Sequence, residues 1–373
     1  MTTEAPLPEP APKESIDTIS PPQSIFTPPA VESSFKLEPR ITISDNTSEV
    51  FCIQFSPDGK YLAAGCGDGA IRVFSTQNGK LAYTLEGGSN VALPTTALRF
   101  RPVTPTSRTK NVLLSANAAG TVQHWHMTSG KCLHSLVDEE NQVYALDYND
   151  EGSSFVTAGK DKCVRLYDEA TKTVITTMQG GIGYSVKTTP GHSNRIFSTK
   201  FLPGDENIVL SAGWDNTIQI WDVRTAQAVR SIYGPHVCGD SMDVIGNGSN
   251  EIVTGSWRAN DQLQTWDLGS GELIDTIAWN APGFISSGQQ NCMLYAAQFS
   301  KDGQGQFIGA GGSGSNEAKV FDHKNNNAVV GTITGLERGV FTLDFSPDSS
   351  LVAVAGGDAS IRMLDIVGVP SAA

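Results

Sequence analysis

The chain has 373 residues and a formal net charge of −13, with 38 glycines, 19 prolines and an apolar fraction of 39%. A charge of that sign, with no polybasic run to offset it, argues against phosphate backbones and anionic membranes as main ligands. No run of 18 apolar residues occurs, and "MTTEAPLPEPAPKES" lacks the basic and apolar regions of a secretory leader, so no membrane span and a cytoplasmic location are expected.

Residues 1–34 differ from everything after them. Eight of the 19 prolines lie there and large apolar side chains are few, so this arm is expected to be extended or disordered rather than to build a core. Within it, "SPPQSIFTPP" sets Ile25 and Phe26 between two proline pairs, each preceded by a hydroxyl residue, Ser20 and Thr27. Polyproline geometry lowers the entropy cost of binding, so the segment reads either as a solubilising tail or as a docking peptide switched by phosphorylation.

From residue 35 the chain is a succession of short strands. After "FKLEPRITI" (35–43), seven segments end an alternating strand in a large residue: Phe74, Trp125, Tyr167, Trp221, Trp266, Phe321 and Leu364. Their successive spacings are 51, 42, 54, 45, 55 and 43 residues. About 20 residues before each anchor comes another strand, as in "VFCIQFSPDG", "VYALDYNDEG" and "VFTLDFSPDS", stopping at a Pro, Asp or Gly turn. Between the two lie strands rich in small residues, such as "YLAAGCGDG" and "IVLSAGWDN", suited to sheets that converge on a crowded axis.

This pattern resembles the WD40-repeat family over about residues 35–367. The resemblance implies an all-β fold, a seven-bladed β-propeller forming one domain (35–373), with 35–43 supplying the outermost strand of the last blade. It also implies a structural tetrad in the fourth repeat: His192, Ser211, Asp215 and Trp221, polar groups that satisfy one another when buried. Asp68, Asp161 and Asp358 hold the position of Asp215, six residues before their anchors, whereas the second repeat has Ala119 there. His236, 30 residues before Trp266, is expected to play a tetrad-like part.

Chemistry-bearing clusters are sparse. The six cysteines (52, 66, 132, 163, 238 and 292) show no metal-type spacing and read as reduced, mostly buried thiols. His124 and His126 share a strand face without a third ligand nearby, and His236 beside Cys238 and Asp240 suggests a nucleophile pair that blade geometry already accounts for. No P-loop, GxSxG, HExxH or EF-hand loop occurs, so no catalytic residue, cofactor or metal is expected.

In this family the loops entering each first strand share one face, the top, with the turns between second and third strands. The longest are 180–194 and 278–291, which carry Tyr184 and Phe284; Trp214, Trp257 and Arg258 stand on neighbouring turns. These five residues are the expected partner-binding set. The expectation is a monomeric, non-catalytic scaffold or adaptor for other proteins of a larger assembly, binding neither nucleic acid nor membrane. Alternatives are a component of a ciliary or flagellar axoneme, a ubiquitin-ligase substrate receptor and, from another class, a propeller hydrolase.

Overall fold

The computed structural model describes residues 32–44, 46–86, 93–105, 110–138, 140–182, 188–246, 248, 250–280 and 291–369. Ser20, Ile25, Phe26, Thr27, Tyr184 and Phe284 lie outside them.

Among the described residues the strands form seven four-stranded antiparallel sheets and one two-stranded ribbon, Gly181–Ile182 with Thr188–Thr189. Blades 1 to 6 span 50–85, 95–137, 143–178, 196–233, 242–276 and 293–333, each with its strands in chain order. Blade 7 combines Val340–Phe345, Leu351–Gly356 and Ile361–Gly368 with the early strand Phe35–Ile43. That pairing is antiparallel from Phe35↔Gly368 to Ile43↔Ile361, with an irregularity between Pro39 and Ile41 where proline withholds its donor. Phe35 and Leu37 also reach the neighbouring blade, the Phe35 ring meeting Phe307 edge-on at 5.0 Å. The propeller is therefore seven-bladed and closed by its own first strand.

The anchors explain why the blades stack. All seven lie in third strands and are buried, and each packs into the preceding blade. Phe74 joins the cluster that includes Leu351 and Met363 of blade 7, Trp125 that of Ile71 and Leu85, and Trp221 that of Val164 and Met178. A blade has two apolar faces, so only a ring covers both faces of every sheet.

Polar clamps join the inner strands. One polar or charged residue from each inner strand contributes to a ring of Gln54, Arg99, Asp147, Lys200, Asp243, Gln298 and Asp344. Its acceptors take backbone N–H groups of the next blade: Asp344 from Phe55 (2.7 Å), Gln54 from Phe100 (2.5 Å), Asp147 from Phe201 (2.8 Å) and Asp243 from Phe299 (3.0 Å). One sequence expectation is corrected in this layer. "CGDSMDVIG" reads as a full inner strand, but only Met242–Ile245 pairs, because residues 236–241 run irregularly into the channel.

Candidate functional site at the upper mouth of the channel

The tetrad of blade 4 shows how the upper face is built. Trp221 Nε1–H donates to Ser211 Oγ at 2.7 Å, Ser211 lies 2.7 Å from His192 Nε2, and His192 Nδ1 lies 2.8 Å from Asp215 Oδ2. Burial works against the Asp215 charge, but His192, the Ser193 N–H and Thr217 outweigh it and hold the carboxyl below its ordinary value. Blades 1, 3 and 7 place the same turn aspartate on an arginine four residues later instead: Asp68–Arg72 at 2.6 Å, Asp161–Arg165 at 2.5 Å and Asp358–Arg362 at 2.9 Å.

Above these supports, the inner strands of six blades carry the same defect. Pairing skips one residue near the start of each: Phe51, Thr96, Tyr144, Phe197, Tyr295 and Phe341. A bulge of this kind re-aims a side chain that strict alternation would bury or expose. All six are half-buried and line one cavity of about 420 Å³ at the upper end of the channel. Five of the six are aromatic. Phe51 stacks on Phe341 at 5.5 Å, and Tyr295 meets Phe341 edge-on at 5.6 Å. On the other side Tyr144 stacks on Phe197 at 4.8 Å, Phe197 meets Trp214 at 5.0 Å, and Trp214 lies nearly parallel to His236 at 6.5 Å.

Blade 5 contributes the floor. Gly239 passes so close to blade 6 that a Cβ there would stand 2.3 Å from the Tyr295 carbonyl oxygen. The next residue, Asp240, reaches into the channel and accepts from Arg99 Nη2 (2.7 Å), Ser198 Oγ (3.1 Å) and Lys200 Nζ (3.3 Å). Burial alone would raise its pKa; Arg99 and Lys200 reverse this and hold the carboxyl well below its usual range. Below this knot lies a polar cavity of about 310 Å³ lined by Lys200, Asp147, Asp243 and Asp344.

The expected partner-binding residues separate here. Trp214 is half-buried, with its Nε1–H on Cys238 Sγ at 2.8 Å and the Arg195 guanidinium 5.3 Å from its ring centre. Trp257 is 39% exposed and lies 6.3 Å from Tyr295, continuing the collar outward. Arg258 spends its donors on its own surroundings: the Asp261 carbonyl (2.8 Å), the Gly234 carbonyl (3.0 Å) and Gln264 Oε1 (2.6 Å). The collar itself went unread in the sequence, although an aromatic straight after the first apolar residue recurs in "VFC", "VYA", "IFS", "LYA" and "VFT".

The tetrad-like role expected of His236 is not made. Its Nδ1 lies 2.7 Å from Asn216 Oδ1, and the Trp266 indole instead finds Thr254 Oγ1 at 2.8 Å. Burial pushes the Cys238 thiol up to about 11, so it is protonated at neutral pH and is no ready nucleophile. His124 is buried against Glu169 Oε2 (3.0 Å) while His126 pairs with Ser129 (2.7 Å), so the two imidazoles serve different neighbours.

The repeat pattern of the WD domain, G-beta repeat, matches residues 37–75, 130–168, 183–222 and 327–365. The chain carries WD40 repeats on a seven-bladed propeller. It is 24% identical over 348 residues to Pre-mRNA-processing factor 19 of Oryza sativa subsp. japonica, covering 90% of this chain and 60% of that protein. It is 22% identical over 293 residues to APC/C activator protein CDC20 of Saccharomyces cerevisiae, covering 69% and 46% respectively. To Cilia- and flagella-associated protein 52 of Chlamydomonas reinhardtii it is 25% identical over 221 residues, covering 59% and 33%. The chain thus spans less than two thirds of the length of these WD40 relatives. Among the described residues, no helix is long and apolar enough to cross a membrane.

Proposed function

We propose that this propeller is a non-catalytic scaffold that holds another protein of a larger assembly on its upper face, centred on the aromatic collar. The collar carries the reading. Five aromatic side chains are turned by bulges into one cavity of about 420 Å³, a size suited to a ligand side chain or short segment, and Trp257 extends the apolar surface outward. The blades gain their cohesion from the buried anchors and polar clamps beneath, so half-exposed rings at the mouth are surplus to the fold. Such groups dominate binding energy where a partner covers them. The relatives' names, an APC/C activator and a pre-mRNA-processing factor, accord with work inside assemblies.

A second reading, a structural part of a cilium or flagellum, is favoured by the relative named for that association. One experiment addresses both. The tagged full-length chain and its Tyr144→Ala/Trp257→Ala variant are purified from native cells and their co-purifying proteins quantified. The expected result is a defined set of partners lost from the variant while its melting temperature stays within a few degrees. Partners retained in full by the variant would overturn the mouth as the docking site, and axonemal proteins in the set would select the second reading.

A further inference from the structure

The stacking of the collar is interrupted on blade 2. Phe51 of blade 1 lies against Phe341 of blade 7 with 20° between their planes, and Tyr144 of blade 3 lies against Phe197 of blade 4 with 12°. Each stack covers one face of each ring, so Phe51 and Tyr144 both keep a free face on the side of blade 2. There the bulged residue is Thr96, too short to fill the gap, and the lining continues with Pro94, Ala97 and Ala118. The result is a slot walled by two aromatic faces and open to the cavity at the mouth. It offers little to a hydrogen-bonding guest: the Thr96 hydroxyl donates to the Val143 carbonyl, and the Tyr144 hydroxyl to Gln142 Oε1. Among the described residues that line the cavity, only Arg99 and Asp240 carry a full charge, and they bind each other at 2.7 Å.

We propose that this slot holds a quaternary ammonium group, the trimethylated lysine side chain of a partner protein. The face of an aromatic ring is the negative part of its quadrupole, so two rings facing a common gap attract a cation placed between them. The wall already does so once, with the Arg195 guanidinium 5.3 Å from the centre of the Trp214 ring. Hydrogen bonding decides which cation fits. A lysine ammonium or an arginine guanidinium brings N–H donors that Pro94, Thr96, Ala97 and Ala118 leave unmet. A trimethylammonium has no donor, and its methyl groups match the apolar lining. A whole blade stands between Phe51 and Tyr144, so a flat ring would cover one wall only, whereas a rounded group reaches toward both. The methylene stem of lysine suits Ile53, Leu146 and Phe197 on the way in. A lipid choline group instead carries a phosphate close to its nitrogen, and the nearest cation, Arg99, is already bound to Asp240 and Asp147. The net charge of −13 adds a field that favours a cation over an anion at long range.

This inference rests on the upper mouth being the docking site, and small probes separate the two. The intact protein is titrated by calorimetry with the Nα-acetyl amide of trimethyl-lysine, the same amide of unmodified lysine, the neutral analogue with carbon in place of the quaternary nitrogen, and phosphocholine. The trimethyl-lysine amide is expected to bind about tenfold more tightly than the neutral analogue, the size of a desolvated cation–π contact, and more tightly than lysine. Tyr144→Leu and Phe51→Leu should each erase that preference while the melting temperature stays within a few degrees, and Tyr144→Phe should keep it. Equal binding of trimethyl-lysine and the neutral analogue, both weakened by Tyr144→Leu, would overturn the cation chemistry and leave the mouth as an apolar docking site. A preference that survives both leucine variants, tighter binding of lysine or of phosphocholine, or no binding of any probe would overturn the proposal, even where a partner still depends on Tyr144 and Trp257.

Discussion

Arg99 of blade 2 and Asp240 of blade 5 meet at 2.7 Å across the channel, a contact between blades three apart in the ring. Asp240 also collects Lys200 and Ser198 of blade 4, so one carboxylate on an irregular segment ties three blades together. Removing it strips each of two largely buried cations of its nearest carboxylate, leaving Arg99 on Asp147 at 3.2 Å and Lys200 on Asp243 at 3.9 Å, which costs more than an intact pair contributes. Asp240→Ala is expected to destabilise by about 3 kcal/mol in urea unfolding. Arg99→Met combined with it should cost less than the two single changes added together. The carboxyl is held below its unfolded value, so this contribution is complete above about pH 4 and is lost in stronger acid. A loss under about 0.5 kcal/mol for Asp240→Ala would show that the contact is only incidental.

Closure of the ring by Phe35–Ile43 predicts a sharp contrast between truncations. That strand pairs with Ile361–Gly368 along its length, and Phe35 and Leu37 pack into the core between blades 6 and 7. Removing residues 1–31 should leave the melting temperature nearly unchanged. Removing 1–46 exposes an edge and an apolar face together, and should lower the melting temperature by more than 10 °C or abolish folding. Equal melting temperatures for the two would rule out closure by this strand as a source of stability.

Ser211 is the shared acceptor and donor of the blade 4 tetrad, touching both the Trp221 indole and His192. Ser211→Ala strands both partners in a buried site, at about 1–3 kcal/mol. Trp221→Phe keeps the ring against Val164 and Met178 and leaves the Ser211–His192 link intact, so it should cost less than Ser211→Ala. The reverse order, measured by denaturant midpoints, would mean that ring packing rather than hydrogen bonding sets the contribution.

Trp257→Ala and Arg258→Ala separate binding from stability. Trp257 is the more exposed and makes few demands on the blade, so its loss should weaken a partner by about 2 kcal/mol without moving the melting temperature. Arg258 holds its own turn through Gly234, Asp261 and Gln264, so its loss should lower the melting temperature by several degrees. The opposite pattern, a stable Arg258→Ala with lost binding, would return that arginine to the interface.

The repeat was legible because each anchor must bury the same face at the same step, which periodic large residues such as Trp125 and Trp221 record. The turn aspartates were legible too, and the arginine four residues on in "DGAIR", "DKCVR" and "DASIR" was there to be paired with them. What alternation could not reveal was the bulge at Phe51, Tyr144 and Phe341, because a skipped pairing partner leaves no compositional trace. Asp240 was hidden for a related reason. "CGDS" reads as a strand end, and its carboxylate acquires meaning only when Arg99, 141 residues earlier in the chain, arrives across the channel.

Two histidines, one buried and one half-buried, should give opposite pH responses. His124 is 1% exposed, its Nε2 on Glu169 and its Nδ1 without a hydrogen-bond partner among the described residues, with Phe155 packed edge-on against the ring. Glu169 is shared with Lys172 (2.7 Å), Tyr148 (3.2 Å) and Arg101 (3.3 Å), and His134 lies 6.2 Å from the His124 ring. Burial pushes the His124 pKa down more than Glu169 raises it. The unfolded imidazole then binds a proton below about pH 6.5 while the folded one does not, so stability falls as pH drops through that window. His323 runs the other way: burial lowers its pKa, but Glu251 at 3.1 Å and Asn327 at 2.9 Å raise it further. Its stabilisation is complete below about pH 6.5 and fades as pH rises through the raised folded value. Urea unfolding at pH 5.5 and 7.5 checks both. Relative to the parent, His124→Gln should be more destabilised at pH 7.5 than at pH 5.5, and His323→Gln more destabilised at pH 5.5. Matching pH responses in the two variants would contradict the opposed shifts.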